Sequence, residues 1–269
     1  MIDLGTLGGR FSEATAINDS GQVVGHSTTS RDTIAPTHAF SWTQRGGMID
    51  LGTLGGHSSF ATAVNGGGQV VGHSTTAGDT ATHAFSWTKQ GGMVDLGSLG
   101  GTHSQATAVS GSGQVVGFST MAGDTATHVF SWTKQGGMVD LGTLGGNFVQ
   151  VTAVNDSGQV VGRSSTAGDI ATHAFSWTQK GGMVDLGTLG GTFAQASAVS
   201  DSGQVVGSSR MIGDTAFHAF SWTQTGGMVD LGTLGGNFSE AAAVNGSGLV
   251  VGLSSTPGDA AIHAVVWQS

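Results

Sequence analysis

The sequence predicts an all-β protein, a six-bladed β-propeller built from four-stranded antiparallel blades. Three observations predict it: a phrase of about 45 residues recurs six times, each copy holds four short strand-like runs, and turn-forming residues separate those runs. Four strands in a repeat of this length are typical of one propeller blade. We therefore expect one domain that spans residues 1–269.

The repeats follow one another without linkers. Near-copies of "MIDLGTLGG" begin at Met1, Met48, Met93, Met138, Met183 and Met228, which gives repeats 1–47, 48–92, 93–137, 138–182, 183–227 and 228–269. The chain contains 49 glycines but is also 38% hydrophobic, with six tryptophans. This composition indicates a repeat protein with a core rather than a disordered low-complexity segment.

Within the repeat 93–137, the strand-like runs are "MVDLG", "ATAV", "QVVGFS" and "HVFSWT". Turns such as "SGSG" and "KQGG" join them, which predicts an antiparallel meander. In "HAFSWT" (83–88), the histidine, phenylalanine and tryptophan point to one face, and the alanine, serine and threonine point to the other. We expect the large residues of one blade to pack against the small residues of the next.

The two ends of the chain carry complementary parts of one repeat. The chain starts with a "MIDLG" run, and its last tryptophan strand, Ala264 to Trp267, has no such run after it. We expect Met1 to Gly5 to add as the outer strand of the last blade and close the ring. A parallel β-solenoid, with threonine rows that could bind ice, is the alternative; terminal repeats that do not look like caps favour the propeller.

Charge and cysteine content restrict the partners. Eight basic against 17 acidic residues give a net charge of −9, so nucleic acid is not expected as a partner. The absence of cysteine excludes disulfides and cysteine-based metal sites. No apolar run approaches the ~20 residues of a transmembrane segment. We expect a monomer.

The pattern "INDSGQVVG…HAFSWT…GGMIDLGTLGG" in residues 17–56 resembles the bacterial extracellular HAF-repeat family. The triplet occurs at 38–40, 83–85, 173–175 and 218–220, and two repeats depart from it with "HVF" (128–130) and "HAV" (263–265). The resemblance covers essentially the whole chain. It implies an extracellular or cell-surface location and a propeller-like fold, and it implies no catalytic reaction.

A histidine and an aspartate recur in every repeat, which favours a structural role over a single functional site. We predict a hydrogen-bond network in each blade between the histidine that opens the tryptophan strand and the aspartate in the preceding turn. The predicted members are His38, His83, His128, His173, His218 and His263 with Asp32, Asp79, Asp124, Asp169, Asp214 and Asp259. A metal ring is not expected, because these strands lie away from the propeller axis.

Function is expected where the repeats differ. The residues after "LGG" differ most, and the candidate ligand-binding residues are Arg10, Phe11, Glu13, His57, Phe60, His103, Gln105, Asn147, Gln150, Gln195, Asn237 and Glu240. A second variable set is assigned to the loop after "VVG": Arg31, Met121, Arg163, Arg210, Met211, Ile212 and Phe217. Both sets should emerge at the same edge of each blade and form one binding face.

The last position of the first set should ring the mouth of the channel. Glu13 and Glu240 would be neighbours across the closure, where they could bind a cation, hydrogen-bond a sugar or act as an acid–base pair. The phenylalanines Phe11, Phe148, Phe193 and Phe238 could stack on sugar rings or belong to the core.

These observations predict a non-catalytic binding module for a glycan or another surface macromolecule. No cofactor is predicted, and whether a metal ion binds at the channel mouth stays open. The alternative is a polysaccharide-acting glycosidase or lyase that uses the carboxylates of Glu13 and Glu240.

Overall fold

In the computed structural model, which describes residues 1–32 and 34–268, the chain forms successive antiparallel β-meanders. Where a meander has a fourth strand, that strand comes from the "MIDLG" or "MVDLG" run that opens the next repeat. The only helical segments among the described residues are short 3₁₀ turns. No helix in the described part of the chain has the length and apolar character needed to span a membrane. The chain divides into two compact units, Met1–Asp140 and the residues from Leu141 onward.

The first unit contains three meanders. Their strands are β1 (Ser12–Ile17), β2 (Val23–Thr28), β3 (Thr37–Thr43) and β4 (Gly47–Asp50); β5 (Gly55–Val64), β6 (Val70–Thr76), β7 (Thr82–Thr88) and β8 (Gly92–Asp95); and β9 (Gly100–Val109), β10 (Val115–Met121), β11 (Thr127–Thr133) and β12 (Gly137–Gly142). Short 3₁₀ turns, Ala77–Asp79 and Ala122–Asp124, connect the second and third strands of the later two meanders.

The second unit repeats this plan. Its strands are β13 (Gly145–Val154), β14 (Val160–Thr166), β15 (Thr172–Thr178) and β16 (Gly182–Gly187); β17 (Gly190–Val199), β18 (Val205–Met211), β19 (Phe217–Thr223) and β20 (Gly227–Asp230); and β21 (Ser239–Val244), β22 (Val250–Ser255) and β23 (Ile262–Trp267). The 3₁₀ turns are Ala167–Asp169, Ile212–Asp214 and Pro257–Asp259. Met1–Gly5 lies outside the strands, so ring closure stays a prediction.

The expected packing of large against small side chains is confirmed inside both units. Phe85 is fully buried and shares a cluster with Val24 of the preceding repeat. On the other face of the same strand, Ala84 packs in a cluster with Phe130 of the following repeat. Because side chains alternate between the two faces of a strand, the phenylalanine of a meander packs against one neighbouring meander. The small alanine on the other face leaves space for the phenylalanine of the other neighbour.

The first strands of several meanders carry polar links to the next repeat. The β5–β6 register shifts between Ala61 and Ala63, and the bulged Thr62 donates from Oγ1 to Ala106 O at 2.8 Å. Thr152 makes the matching bond to Ala196 O at 2.8 Å. A Cβ on Gly72 of the second strand would lie 1.9 Å from Phe60 O. Glycine is therefore required at this point of "VVG", because the two backbones are in close contact.

Candidate functional site

The repeated histidines pair with a different aspartate from the one expected. His83 Nδ1 lies 2.9 Å from Asp95 Oδ2, and Asp95 Oδ1 accepts the N–H of Gly97 at 2.7 Å. Equivalent pairs are His38–Asp50, His128–Asp140, His173–Asp185 and His218–Asp230. The aspartate of "DLG" sits on the fourth strand beside the histidine of the third, so this pair ties neighbouring strands together. His263 lies exposed on β23.

The aspartates of the turn serve another purpose. Asp124 accepts the backbone N–H of Thr102 at 2.8 Å and the hydroxyl of Thr120 at 2.5 Å. These hydrogen bonds hold the pKa of Asp124 below its ordinary value, and the bond from the Thr120 hydroxyl has the largest effect. The pKa values of Asp79, Asp169, Asp214 and Asp259 are lowered by equivalent hydrogen bonds. The predicted histidine–aspartate network is therefore wrong, and its members belong to two separate sets of hydrogen bonds.

Among its described residues, the first repeat does not show this turn arrangement, and its loop is two residues longer than the loops of the other five repeats. Asp32 accepts the hydroxyl of Ser30 at 2.9 Å, and the backbone N–H of Arg10 bonds to Thr28 Oγ1 at 3.0 Å. The side chain of Arg10 is exposed.

The strand register places both variable sets at the same edge of each meander. Gly100 pairs with Met121, and Gly190 pairs with Met211, so the start of the first strand lies beside the end of the second. Three predicted binding residues take part in the turn arrangement through their backbone N–H groups: His57, Asn147 and Asn237. The amide groups of Asn147 and Asn237 also donate to the turn carboxylates, so these side chains are structural in part.

In the first unit, aromatic and imidazole side chains form a line across the repeats, which we call the histidine row. Its members are Phe11, His26, Phe60, His73, His103 and Phe118. Phe60 lies between two imidazoles, with ring centroids 5.0 Å from His26 and 5.1 Å from His73. The row is extended by Phe11 beside His26 at 5.7 Å and by Phe118 beside His103 at 5.7 Å.

Burial lowers the pKa of two members of the histidine row, His73 and His103. The pKa of His73 is lowered from 6.5 to about 4, first by burial and then by the charges of His103 and His26. Burial also lowers the pKa of His103, although Asp124 opposes this. Nδ1 of His26 and of His73 is buried without a hydrogen-bond partner among the described residues. The exposed Glu13 is 3.7 Å from Nε2 of His26.

In the second unit, the equivalent positions form what we call the arginine row: Phe148, Gln150, Arg163, Phe193 and Gln195. The guanidinium carbon of Arg163 lies 5.2 Å from the ring centroid of Phe148 and 5.5 Å from that of Phe193. Its Nε donates to Gln150 Oε1 at 3.0 Å, and one Nη donates to Gln195 Oε1 at 3.4 Å. Two consecutive repeats thus hold one guanidinium group by cation–π contacts and hydrogen bonds.

The remaining predicted residues are not members of these rows. Gln105 is half-buried on β9 opposite Phe118. Phe238 stacks on Phe217, with a centroid distance of 6.0 Å. Glu240 is half-buried on β21, opposite Leu253. Glu13 and Glu240 belong to different units, and their meeting at a channel mouth stays a prediction. Among residues 1–32 and 34–268, no group of three or more His, Asp or Glu side chains is placed to hold a metal ion.

Sequence reasoning did not group the six residues that directly follow "VVG", one in each repeat. These residues are His26, His73, Phe118, Arg163, Ser208 and Leu253, and no two consecutive repeats after the second share the same one. Each lies on the second strand, directly opposite the last variable residue of the first strand, as Arg163 lies opposite Gln150. A repeat alignment shows this variation, and strand pairing explains why it matters. The constant spacing of twelve residues between each histidine and its "DLG" aspartate was also available from the sequence.

Grooves between meanders occur near the hairpins of the other edge. One groove, of about 750 Å³, is lined by Gln69, Ser86, Trp132 and their neighbours. Grooves of about 540 and 570 Å³ have equivalent linings in other repeats. The Gln69 amide already donates to Ser86 Oγ at 2.9 Å. Because the same residue types recur in these grooves, they are a property of the scaffold.

The chain is similar to solved β-propellers. It matches the β-propeller domain of the trilobed protease from Pyrococcus furiosus with 9% identity and a TM-score of 0.61, covering 97% of this chain and 84% of that one. Similarities with lower TM-scores include a gluconolactonase from Xanthomonas campestris (13% identity, 0.43, 92% and 84% coverage) and the Aleuria aurantia lectin (11%, 0.40, 96% and 92%). No protein-family model and no curated protein sequence matches the chain. The first likeness shows a β-propeller fold.

Proposed function

We propose that this protein is a non-catalytic binding module that acts outside the cell or at the cell surface, with the histidine and arginine rows as its ligand face. A glycan is the favoured class of ligand. The location follows from the resemblance to HAF-repeat proteins, and a monomer is part of the proposal.

One observation carries the proposal. The histidine–aspartate pairs, the buried phenylalanines and the glycines recur from repeat to repeat, whereas the row positions change between phenylalanine, histidine, glutamine, glutamate and arginine. Several of these side chains are accessible, including Phe148 with 47% of its surface exposed. A rigid scaffold that presents different aromatic and polar groups at equivalent positions suits recognition of one extended, irregular ligand.

A glycan array tests this proposal with substitutions borrowed from other repeats. Phe60→Gln introduces the residue found at Gln105, and Phe148→Ser introduces the residue found at Ser58. We expect both variants to keep the wild-type melting temperature within a few degrees and to lose binding to glycans that the wild-type protein retains. Lys134→Gln, at the opposite edge, is the matched control, because glutamine occupies the equivalent position at Gln179.

Retention of the same glycans by all three variants would contradict the assignment of the ligand face. Turnover of a polysaccharide that stops with Glu13→Gln or Glu240→Gln would favour the alternative, a glycosidase or lyase, over a binding module.

The proposal includes a closed ring of six blades, in which residues 1–5 pair with β23. Its support is the apolar face of the last meander: Val251 is 43% and Val266 is 59% exposed, whereas Val206, which is equivalent to Val251, is fully buried. Asp3 also accepts the N–H of Gly5 at 2.9 Å, the same turn that Asp95 forms with Gly97 before a fully packed repeat.

An engineered disulfide tests closure, because the chain has no cysteine of its own. The double variant Ile2→Cys/Val266→Cys should form an intramolecular disulfide. Ser221→Cys/Val229→Cys is the positive control, since these positions are paired in the β19–β20 register. The Pyrococcus propeller domain has an open velcro topology. If the Ile2→Cys/Val266→Cys disulfide fails to form while the control disulfide forms, the ring of this protein is open as well.

A further inference from the structure

We propose that Arg163 is the anion-binding subsite of this protein and that its ligand is an acidic sugar, with the carboxylate of a uronic acid bound by the guanidinium group. This inference rests on the proposed function, because it names the class of glycan that the arginine row would take.

The guanidinium group of Arg163 is held in place before any ligand arrives. The rings of Phe148 and Phe193 contact it at 5.2 and 5.5 Å. Hydrogen bonds to Gln150 Oε1 and Gln195 Oε1, at 3.0 and 3.4 Å, fix its orientation. A long side chain that is already ordered loses less conformational entropy on binding, so its remaining hydrogen bonds contribute more to affinity.

The donors that remain match a carboxylate. A guanidinium group has five N–H donors, and Arg163 uses two of them, from Nε and Nη1, on the glutamine side chains. The ion pairs found among the described residues join histidines to carboxylates, and none of them involves Arg163. An oriented guanidinium group without an internal counter-ion is suited to a charge-assisted, bidentate contact with an external carboxylate.

The surroundings of Arg163 point to a sugar acid rather than a free inorganic anion. Phe148 is 47% exposed beside the guanidinium group, and it offers an apolar face to the ring of a bound sugar. The side chain of Gln150 is also exposed and can hydrogen-bond hydroxyl groups. With a net charge of −9, the protein does not attract anions through its overall field, so recognition depends on this local arrangement.

The other repeats supply the matched variants. Serine occupies the position of Arg163 in the following repeat, at Ser208, so Arg163→Ser should fold. Lys180→Gln removes an equal charge from the same unit at an exposed position of the opposite edge, where Gln90 and Gln135 are the equivalents. Thermal unfolding of each variant checks that the fold is intact.

Isothermal titration calorimetry at pH 7 and low salt tests the inference with three probes: trigalacturonate, its carboxyl-reduced neutral counterpart and a sulfated galactotriose. We expect trigalacturonate to bind the wild-type protein and Lys180→Gln alike, and Arg163→Ser at least tenfold more weakly. The neutral probe should bind more weakly to the wild-type protein and should not distinguish the variants. Stronger binding of the sulfated probe than of trigalacturonate, lost in Arg163→Ser, would overturn the carboxylate assignment in favour of a sulfated sugar.

Equal affinity of wild-type protein and Arg163→Ser for trigalacturonate would overturn the inference. If the neutral probe binds both proteins as tightly as the acidic one, the inference fails and the proposed glycan-binding function stands. If none of the probes binds and the array shows no glycan ligand, both fail.

Discussion

The histidine row and the arginine row occupy equivalent positions of the same scaffold but differ in charge. In the first unit, burial lowers the pKa of His73 to about 4, so its imidazole is neutral at pH 7. In the second unit, Arg163 is permanently charged, and two phenylalanine rings and two glutamine side chains surround it. One strand position therefore carries a neutral ring in one unit and a fixed cation in the other.

The difference shows how little sequence is needed to change the chemistry of this scaffold. The residues that build each meander, such as the paired His83 and Asp95 or His173 and Asp185, have nearly the same geometry in both units. Only the side chains beside them change. A repeat protein can thus vary its surface at a few positions while every blade keeps the same core.

The largest effect is expected from His73→Phe, which introduces the residue found at Phe118. The pKa of His73 lies below that of an unfolded histidine, so the unfolded chain takes up the proton first as the pH falls from 6.5 to about 4. The wild-type protein should lose roughly 3 kcal/mol of unfolding free energy over this range through His73, and the variant should lack that loss. Urea denaturation at several pH values measures it.

Arg163→Phe is the matched control in the other row. Arginine does not titrate in this range, so the difference in unfolding free energy between this variant and the wild-type protein should not change with pH. The two rows would not differ in the proposed way if the difference in unfolding free energy from the wild-type protein changed with pH as much for Arg163→Phe as for His73→Phe.

A smaller effect is expected from Phe60→Gln. The ring of Phe60 is half-buried between the imidazoles of His26 and His73, so its loss should cost about 1–2 kcal/mol of unfolding free energy. Phe148→Ser should cost less, about 0.5–1 kcal/mol, because Phe148 is 47% exposed. Chemical denaturation at pH 7 compares them, and an equal or reversed order would show that the histidine row is not the better packed of the two.

The smallest effect should be the same in both units. Asp95→Asn and Asp185→Asn each weaken a histidine pair whose aspartate is 43% or 44% exposed, so each should cost about 0.5–1 kcal/mol. Denaturation curves of the two variants should coincide. A cost confined to one unit would mean that the scaffold itself, and not only the rows, differs between the units.

Much of the fold could be predicted from the sequence, because repetition averages out local uncertainty. The repeat length, the meander and the packing of Phe85 and Ala84 on opposite faces of a strand all follow from turn residues and alternation. The partner of the repeated histidine could not be chosen in the same way, since Asp79 is nearer in sequence and Asp95 is nearer in space. Strand pairing decides it, and the sequence contains the pairing only indirectly.

The functional site could be predicted only in part, again because the sequence contains the strand pairing only indirectly. Variation after "LGG" identified Phe60, Gln150 and Gln195, which lie in the rows, but it also selected Asn147 and Asn237, whose amide groups bind the turn aspartates. Arg163 was assigned to a loop, whereas it lies on β14. Its importance depends on contacts with two repeats at once, which no single repeat displays.

The central claim is that the rows bind the ligand while the repeated residues hold the scaffold. The NMR signals of the arginine Nε–H groups test it most directly, because the chain has only Arg10, Arg31, Arg45, Arg163 and Arg210, and Arg163→Ser assigns the relevant signal. On titration with trigalacturonate, we expect the Arg163 signal to shift and saturate while the other four stay within the range caused by salt. Equal small shifts of all five signals, or no shift at Arg163, would contradict the account.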